Sequence, residues 1–205
     1  MDVPGRLSTV SPPVWLVRRA KTAVLCGFLI GFGVASMAAS SQRMLCDFSS
    51  SSGVAWSNID DVVMGGHSSS HFSTNADGTA TFSGTVSLAD GGGFASARGR
   101  LADAADLRAY RALVLRVRGD GKRYSMRLRN DARGGGIAYA ATCEAPTDGW
   151  HPVELPFAQF VPKYRGRRVP DAPPLDLANI QQLGLLIADK QAGRFQLDLD
   201  WIAAR

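Results

Sequence analysis

From Ser41 onward, apolar and polar residues alternate at period two almost throughout, the spacing of strands that bury one face and expose the other. The alternation predicts strands at Thr79–Leu88, Ala112–Val117, Tyr124–Leu128, Ile137–Cys143, His151–Leu155, Leu183–Ala188 and Phe195–Ile202, with shorter ones at Leu45–Phe48 and Ser69–Ser73. Turn residues punctuate them at Asp77-Gly78, Gly91-Gly92-Gly93, Asp120-Gly121, Gly134-Gly135-Gly136, Asp148-Gly149 and Pro173-Pro174. No window carries a sustained helical stripe, and no internal repeat is visible. Many short strands at roughly ten-residue spacing predict an all-β fold, an antiparallel sandwich or barrel.

One pair of strands has a distinctive face pattern. Leu113, Leu115 and Val117 point one way, and Arg116 and Arg118 the other. Beyond Asp120-Gly121, Tyr124, Met126 and Leu128 repeat the inward set, while Arg127 and Arg129 lie opposite. Asp-Gly suits a tight hairpin because it tolerates positive φ, so the two strands are expected to carry four arginines on one face. The last strand puts Phe195, Leu197, Leu199 and Trp201 inward, with Asp198 and Asp200 outward. In a shared sheet those aspartates would answer some of the arginines across strands. The plain reading is a solvated ion ladder. The functional one is a basic recess for an anionic ligand or partner, since the planar arginine fork suits oxyanions.

Composition agrees with a globular body: 205 residues, 45% hydrophobic and 20% charged, with 22 Gly. Only Glu144 and Glu154 represent glutamate, which argues against a helical bundle. The formal net charge of +5 is unevenly placed. Residues 1–38 carry Arg6, Arg18, Arg19 and Lys21 against Asp2, so the body is close to neutral and gives no reason to expect a nucleic-acid partner. Arg18, Arg19 and Lys21 precede the uncharged run Thr22–Ser40, the layout of a secretory signal peptide with cleavage after Ala38. An uncleaved membrane anchor competes, the run being close to the minimum for a span. A transit peptide, which should be amphipathic, fits less well. Residues 1–38 are thus read as signal peptide or membrane anchor, the only expected membrane contact, and 39–205 as one domain. In an oxidising compartment Cys46 and Cys143 would be free to pair; otherwise they are two small buried hydrophobes.

Several motifs occur in order: Trp56 followed by Asp61-x-Val63-Met64-Gly65-Gly66-x-Ser68; Gly91-Gly92-Gly93-Phe94-Ala95-Ser96; Arg118-Gly119-Asp120-Gly121-Lys122-x-Tyr124; Leu155-Pro156-Phe157-x-x-Phe160-Val161-Pro162; Arg165-Gly166-Arg167; and Leu183–Lys190 running on through Gln191-x-Gly193-x-Phe195. Together they resemble the CIA30 family, the domain of complex I intermediate-associated protein 30, over about residues 45–202. The resemblance implies a jelly-roll β-sandwich of the galactose-binding-like type. It also implies a non-catalytic, assembly-type role, with protein partners among respiratory complex I subunits, no cofactor, and no catalytic residue to carry over. The export-type N-terminus departs from the mitochondrial members and predicts a periplasmic, lumenal, secreted or membrane-anchored domain rather than a mitochondrial one.

The residues themselves supply the candidate site. Met64-Gly65-Gly66 predicts a tight turn that Asp61 caps, or whose rim Asp61 and Ser68 line for a ligand. Tyr164, Arg165 and Arg167 sit in a basic, proline-flanked loop suited to interaction. With Arg116, Arg118, Arg127 and Arg129 they complete the candidate binding set.

Catalytic and metal chemistry find little support. His67 and His71 would stand roughly 13 Å apart on one strand face, too far to share a metal. Asp198 and Asp200, about 7 Å apart, have a spacing compatible with hydrolysis, but alternating surface aspartates are commoner. No nucleophile elbow or phosphate loop occurs. Trp56, Trp150 and Trp201 keep an exported carbohydrate-binding-like module, with a glycan ligand, as the alternative, although Trp201 fits the inward set.

Overall fold

The computed structural model describes residues 42–49, 51–133 and 135–205. The signal or anchor assigned to residues 1–38 lies outside the described residues.

Two antiparallel sheets enclose one core. The strands are β1 (Arg43–Cys46), β2 (Val54–Asn58), β3 (Ser69–Thr74), β4 (Ala80–Val86), β5 (Ala95–Ala105), β6 (Ala112–Gly119), β7 (Arg123–Arg129), β8 (Ala138–Glu144), β9 (His151–Pro156), β10 (Val161–Tyr164), β11 (Arg167–Arg168), β12 (Ile180–Ile187) and β13 (Gly193–Ala204). The six-stranded sheet runs β3-β4-β13-β6-β9, with β1 also paired to β13. The seven-stranded sheet runs β11-β10-β8-β7-β12-β5-β2. Phe82, Leu113, Leu115, Val117, Leu197 and Leu199 from the first meet Tyr124, Met126, Leu128, Leu183, Leu185 and Ile187 from the second, all fully buried. Burial of each such side chain contributes about 1.5–3 kcal/mol. Among the described residues no helix is long and apolar enough to cross a membrane.

Every predicted strand is present, within three residues at each end. Four strands are additional. β5 escapes the alternation because its inward set is Ala95, Ala97 and Gly99, too small to mark a buried face. β2 is an edge strand with mixed exposure, and β10 and β11 are short.

The expected Arg-rich hairpin is a corner. β6 belongs to one sheet and β7 to the other, so Asp120-Gly121 carries the chain across the sandwich. Alternation cannot separate the two cases, because both aim the same residues at the core. The corner is held by Asp120. Its carboxylate accepts from the Lys122 N–H at 3.0 Å, the Tyr124 hydroxyl at 3.1 Å and the Gln196 N–H at 2.9 Å, three segments tied at one point. Burial, then the charge of Asp120, pushes the Tyr124 hydroxyl far above its ordinary pKa. The four arginines are thereby divided between opposite outer faces.

Trp201 also departs from expectation. The register shifts between Leu199 and Trp201, so an extra residue at Asp200 reverses the alternation. Trp201 faces outward opposite Arg116, and Ile202 and Ala204 take the inward positions.

Cys46 and Cys143 are free, and both are buried, one in each sheet. Burial pushes the Cys46 thiol up and the Cys143 thiol up to about 11. Both are expected to escape iodoacetamide at about pH 8 until the chain is unfolded, because the thiolate is the reactive form. Peptide mass spectrometry of native and urea-treated protein checks this.

Candidate functional site

Asp61 and Ser68 are interior residues, not a ligand rim. Asp61 is fully buried in the short 3-10 turn Asp61–Met64. One carboxylate oxygen accepts from the Ser68 N–H at 2.8 Å. The other accepts from the Ser68 hydroxyl at 2.5 Å and from the Gly93 and Phe94 N–H groups at 2.6 and 3.2 Å. Burial pushes the Asp61 pKa up, but these four hydrogen bonds outweigh it and hold the carboxyl below its ordinary value. The Asp61–Ser68 turn and the Gly91–Phe94 loop are therefore one knot. Gly65 closes the 3-10 turn at φ +89°, as the tight-turn reading requires. Asp60 points the other way, taking the Ser70 N–H at 2.7 Å and its hydroxyl at 2.6 Å. The knot holds Val62, Val63 and Met64 outward, each more than 60% exposed.

His67 makes no pair with His71; its Nε2 meets Asp90 at 2.7 Å.

On the outer face of the six-stranded sheet the arginines are answered. Arg118 pairs with Asp198 at 3.0 Å, and Arg116 with Asp200. Asp198 also accepts from the Thr81 hydroxyl at 3.0 Å and the Gln196 amide at 3.1 Å, so it is tied into the sheet beyond its arginine. Trp150 lies over both guanidinium groups, 4.8 Å from Arg118 and 5.6 Å from Arg116. It covers the ladder with a cation–π contact. Asp200→Asn is expected to change stability by no more than about 1 kcal/mol, because this pair is solvent-screened. Urea denaturation at low and high salt checks this.

The outer face of the seven-stranded sheet is different. β7 presents Ser125, Arg127 and Arg129, and β12 presents Gln182, Gly184 and Leu186. β5 adds Ser96, Arg98 and Arg100, two arginines that went unread because the strand itself did. Their sequence signal is the alternation of Arg98 and Arg100 with Ala97 and Gly99. Burial comes first, then the charges of Arg129 and Arg98, in pushing the Arg127 pKa down to about 10.

Toward one end of this face an apolar recess of about 250 Å³ opens between Met64, Phe94, Leu186, Ala188 and the stems of Arg127 and Arg165. Arg165 comes from the predicted basic loop, the tip of the β10–β11 hairpin, where it stands at φ +47° with its guanidinium 5.5 Å from the Tyr164 ring. Tyr164 and Arg167 are exposed beside it. Of the predicted set, Arg127, Arg129 and Arg165 thus gather on one face, with Met64 arriving from the knot. No aromatic side chain stands among the outward residues of β5, β7, β8 or β12.

A larger groove, about 910 Å³, lies elsewhere, lined by Phe48, Trp56, Thr74, Asn75, Arg100 and neighbouring residues. Trp56 stacks on Phe72 at 4.3 Å along its inner wall.

Comparison with known proteins agrees with this architecture. The model of the family described as Complex I intermediate-associated protein 30 (CIA30) matches residues 46–199. An uncharacterized protein of the fission yeast Schizosaccharomyces pombe is 28% identical over 165 residues, 71% of this chain and 75% of that protein. The Mus musculus protein named complex I intermediate-associated protein 30, mitochondrial, is 31% identical over 97 residues, 45% of this chain but only 30% of the mouse protein. Among solved structures, the family 11 carbohydrate-binding module of a Clostridium thermocellum cellulosomal cellulase matches with a TM-score of 0.58 at 19% identity, covering 80% of this chain and 94% of the module. A family 11 module from the same organism, in complex with a β-1,3-1,4-mixed-linked tetrasaccharide, gives 0.56 at the same identity and coverage. At such identities the likeness establishes the fold alone, a two-sheet antiparallel β-sandwich.

Proposed function

The chain belongs to the CIA30 family, and on that footing we propose that it works without catalysis, as a binding module of the complex I assembly type. The observation that carries the reading is the family match itself, which runs from the first strand into the last. The outer face of the seven-stranded sheet is the surface on which this reading seats a protein partner. There Met64, exposed like Val62 and Val63 of the same turn, lines an apolar recess rimmed by Arg127 and Arg165. Exposed apolar side chains next to arginine are the composition that protein interfaces favour.

The test uses the tagged full chain in its own host. Mild detergent extracts resolved on native gels should show the chain migrating with incomplete forms of complex I, and its deletion should lower the assembled complex. A chain that never co-migrates, in cells whose complex I is unaffected by its loss, overturns the reading. The same preparation reports the mature N-terminus. A start near Ala39 in an exported fraction fits the signal reading of residues 1–38, and an intact chain in the membrane fits the anchor.

One observation favours a second reading, a carbohydrate-binding-like module: the groove beside Trp56 combines aromatic, amide and hydroxyl groups. A soluble glycan that raises the melting temperature would support it, as any ligand selective for the folded state must. No such rise across β-glucan and galactan oligosaccharides would end it.

A further inference from the structure

The outer face of the seven-stranded sheet concentrates positive charge and buried polar atoms that the protein itself does not satisfy. One row of cross-strand partners reads Ala140, Arg127, Gly184, Arg98 and Ser57 across β8, β7, β12, β5 and β2. Arg127 and Arg98 therefore flank a glycine, about 10 Å apart at ordinary strand spacing. The next row brings Arg129 and Arg100 to either side of Gln182. The row on the other side holds Thr142, Ser125, Leu186 and Ser96. No carboxylate stands in these three rows. Asp131, in the loop that follows β7, acts on Arg129, and Arg129 also donates to the Gly136 carbonyl at 2.6 Å.

Five buried side-chain polar atoms among the described residues have no hydrogen-bond partner, and three lie on this face: Ser125 Oγ, Arg127 Nε and Gln182 Oε1. Buried polar atoms are nearly always paired, so the unpaired Arg127 Nε, with Ser125 Oγ two residues away on β7, points to an acceptor supplied from outside the chain. Because Gly184 has no side chain, a depression of about 20 Å³, room for one oxygen-sized group, remains between the arginines. The opposite sheet shows what fills such a position: there Asp198 and Asp200 meet Arg118 and Arg116.

We propose that this depression is an oxyanion site, in which one oxygen of a carboxylate or phosphate group from a ligand enters over Gly184 between Arg98 and Arg127, beside Arg129. The ligand supplies the acceptor that the six-stranded sheet takes from its own aspartates. Charge-assisted hydrogen bonds to the Arg127 fork and the removal of repulsion among three cations hold it. The site stands on this geometry alone and goes beyond the assembly reading.

Thermal unfolding of the full chain tests it, with sodium succinate and sodium phosphate titrated in turn against sodium chloride of equal ionic strength. The wild-type midpoint should rise by about 3–6 °C when the anion reaches ten times its Kd. A rise with succinate alone assigns a carboxylate ligand, and a rise with phosphate alone a phosphate. Arg127→Met should start at a higher midpoint than wild type, because it removes a half-buried guanidinium whose Nε has no partner and that is repelled by Arg98 and Arg129, and should lose the response. Gly184→Val keeps all the arginines but fills the floor, and should lose the response too. No rise in the wild type, an equal rise in both variants, or an Arg127→Met midpoint well below wild type would each overturn the proposal.

Discussion

Asp61→Ala should lower the midpoint of thermal unfolding by roughly 10 °C, from a loss of about 3–5 kcal/mol in a domain of this size. Four hydrogen bonds end on this carboxylate, three of them from backbone N–H groups of Ser68, Gly93 and Phe94. Truncation strands those donors inside the protein. The surroundings cannot close over the gap without moving two loops together. Space on the other side is equally tight: a Cβ on Gly66 would lie 2.4 Å from Asp61 Cγ, and one on Gly92 2.7 Å from Oδ2. Asp61→Asn should also destabilise, because one face of an amide offers donors where donors already point.

The pH dependence follows from the sign of the shift. The folded carboxyl is held below its ordinary value of 3.8, so its contribution is fully present above that value. It is lost as pH falls through the lower, folded pKa. Wild type should therefore lose stability below about pH 4 more steeply than Asp61→Asn. Parallel acid-denaturation curves for the two proteins would show this carboxylate to be energetically idle.

Gly84→Ala is expected to be nearly as damaging, costing about 3 kcal/mol. Gly84 lies in β4 between β3 and β13, opposite Ser70 and Phe195. A Cβ there would stand 2.1 Å from the Ser69 carbonyl oxygen, 2.8 Å from the Ser70 Cα and 3.0 Å from the Phe195 ring. The first two are backbone atoms, so no side-chain rotation relieves the contact. β3 must peel away instead, and its amides should lose hydrogen-exchange protection before those of β6 or β12. Retained protection across Ser69–Thr74 in a stable variant would show that β3 shifts without detaching.

The fold was legible where inward residues are large. Leu113, Leu115 and Val117, or Leu183, Leu185 and Ile187, announce their strands unaided. β5 lines the same core with Ala95, Ala97 and Gly99, so its strand was silent, and Arg98 and Arg100 vanished with it. The division of the arginines between two faces was hidden for another reason. A hairpin and a corner share one alternation, and what separates them is a side-chain contact from Asp120 to Gln196, far along the chain. Trp201 was misread because a single inserted residue reverses every later position. Asp61 was correctly singled out as an acceptor of backbone N–H groups at its turn, but two of its partners, Gly93 and Phe94, belong to a separate motif and gave no sign of the link.

The position of β13 bears on how this chain reaches its fold. β13 lies between β4 and β6 and also pairs with β1, so residues 193–204 join segments spread across the whole domain. During vectorial synthesis they emerge after every other strand of the sheet. Until then β4 and β6 each present an open backbone edge, and the apolar residues that β13 covers stay wet. The nascent domain thus carries a prolonged sticky phase, the kind of interval that chaperones shield. Completion of this sheet therefore waits for residues 193–204 to emerge, however fast the local pairs form.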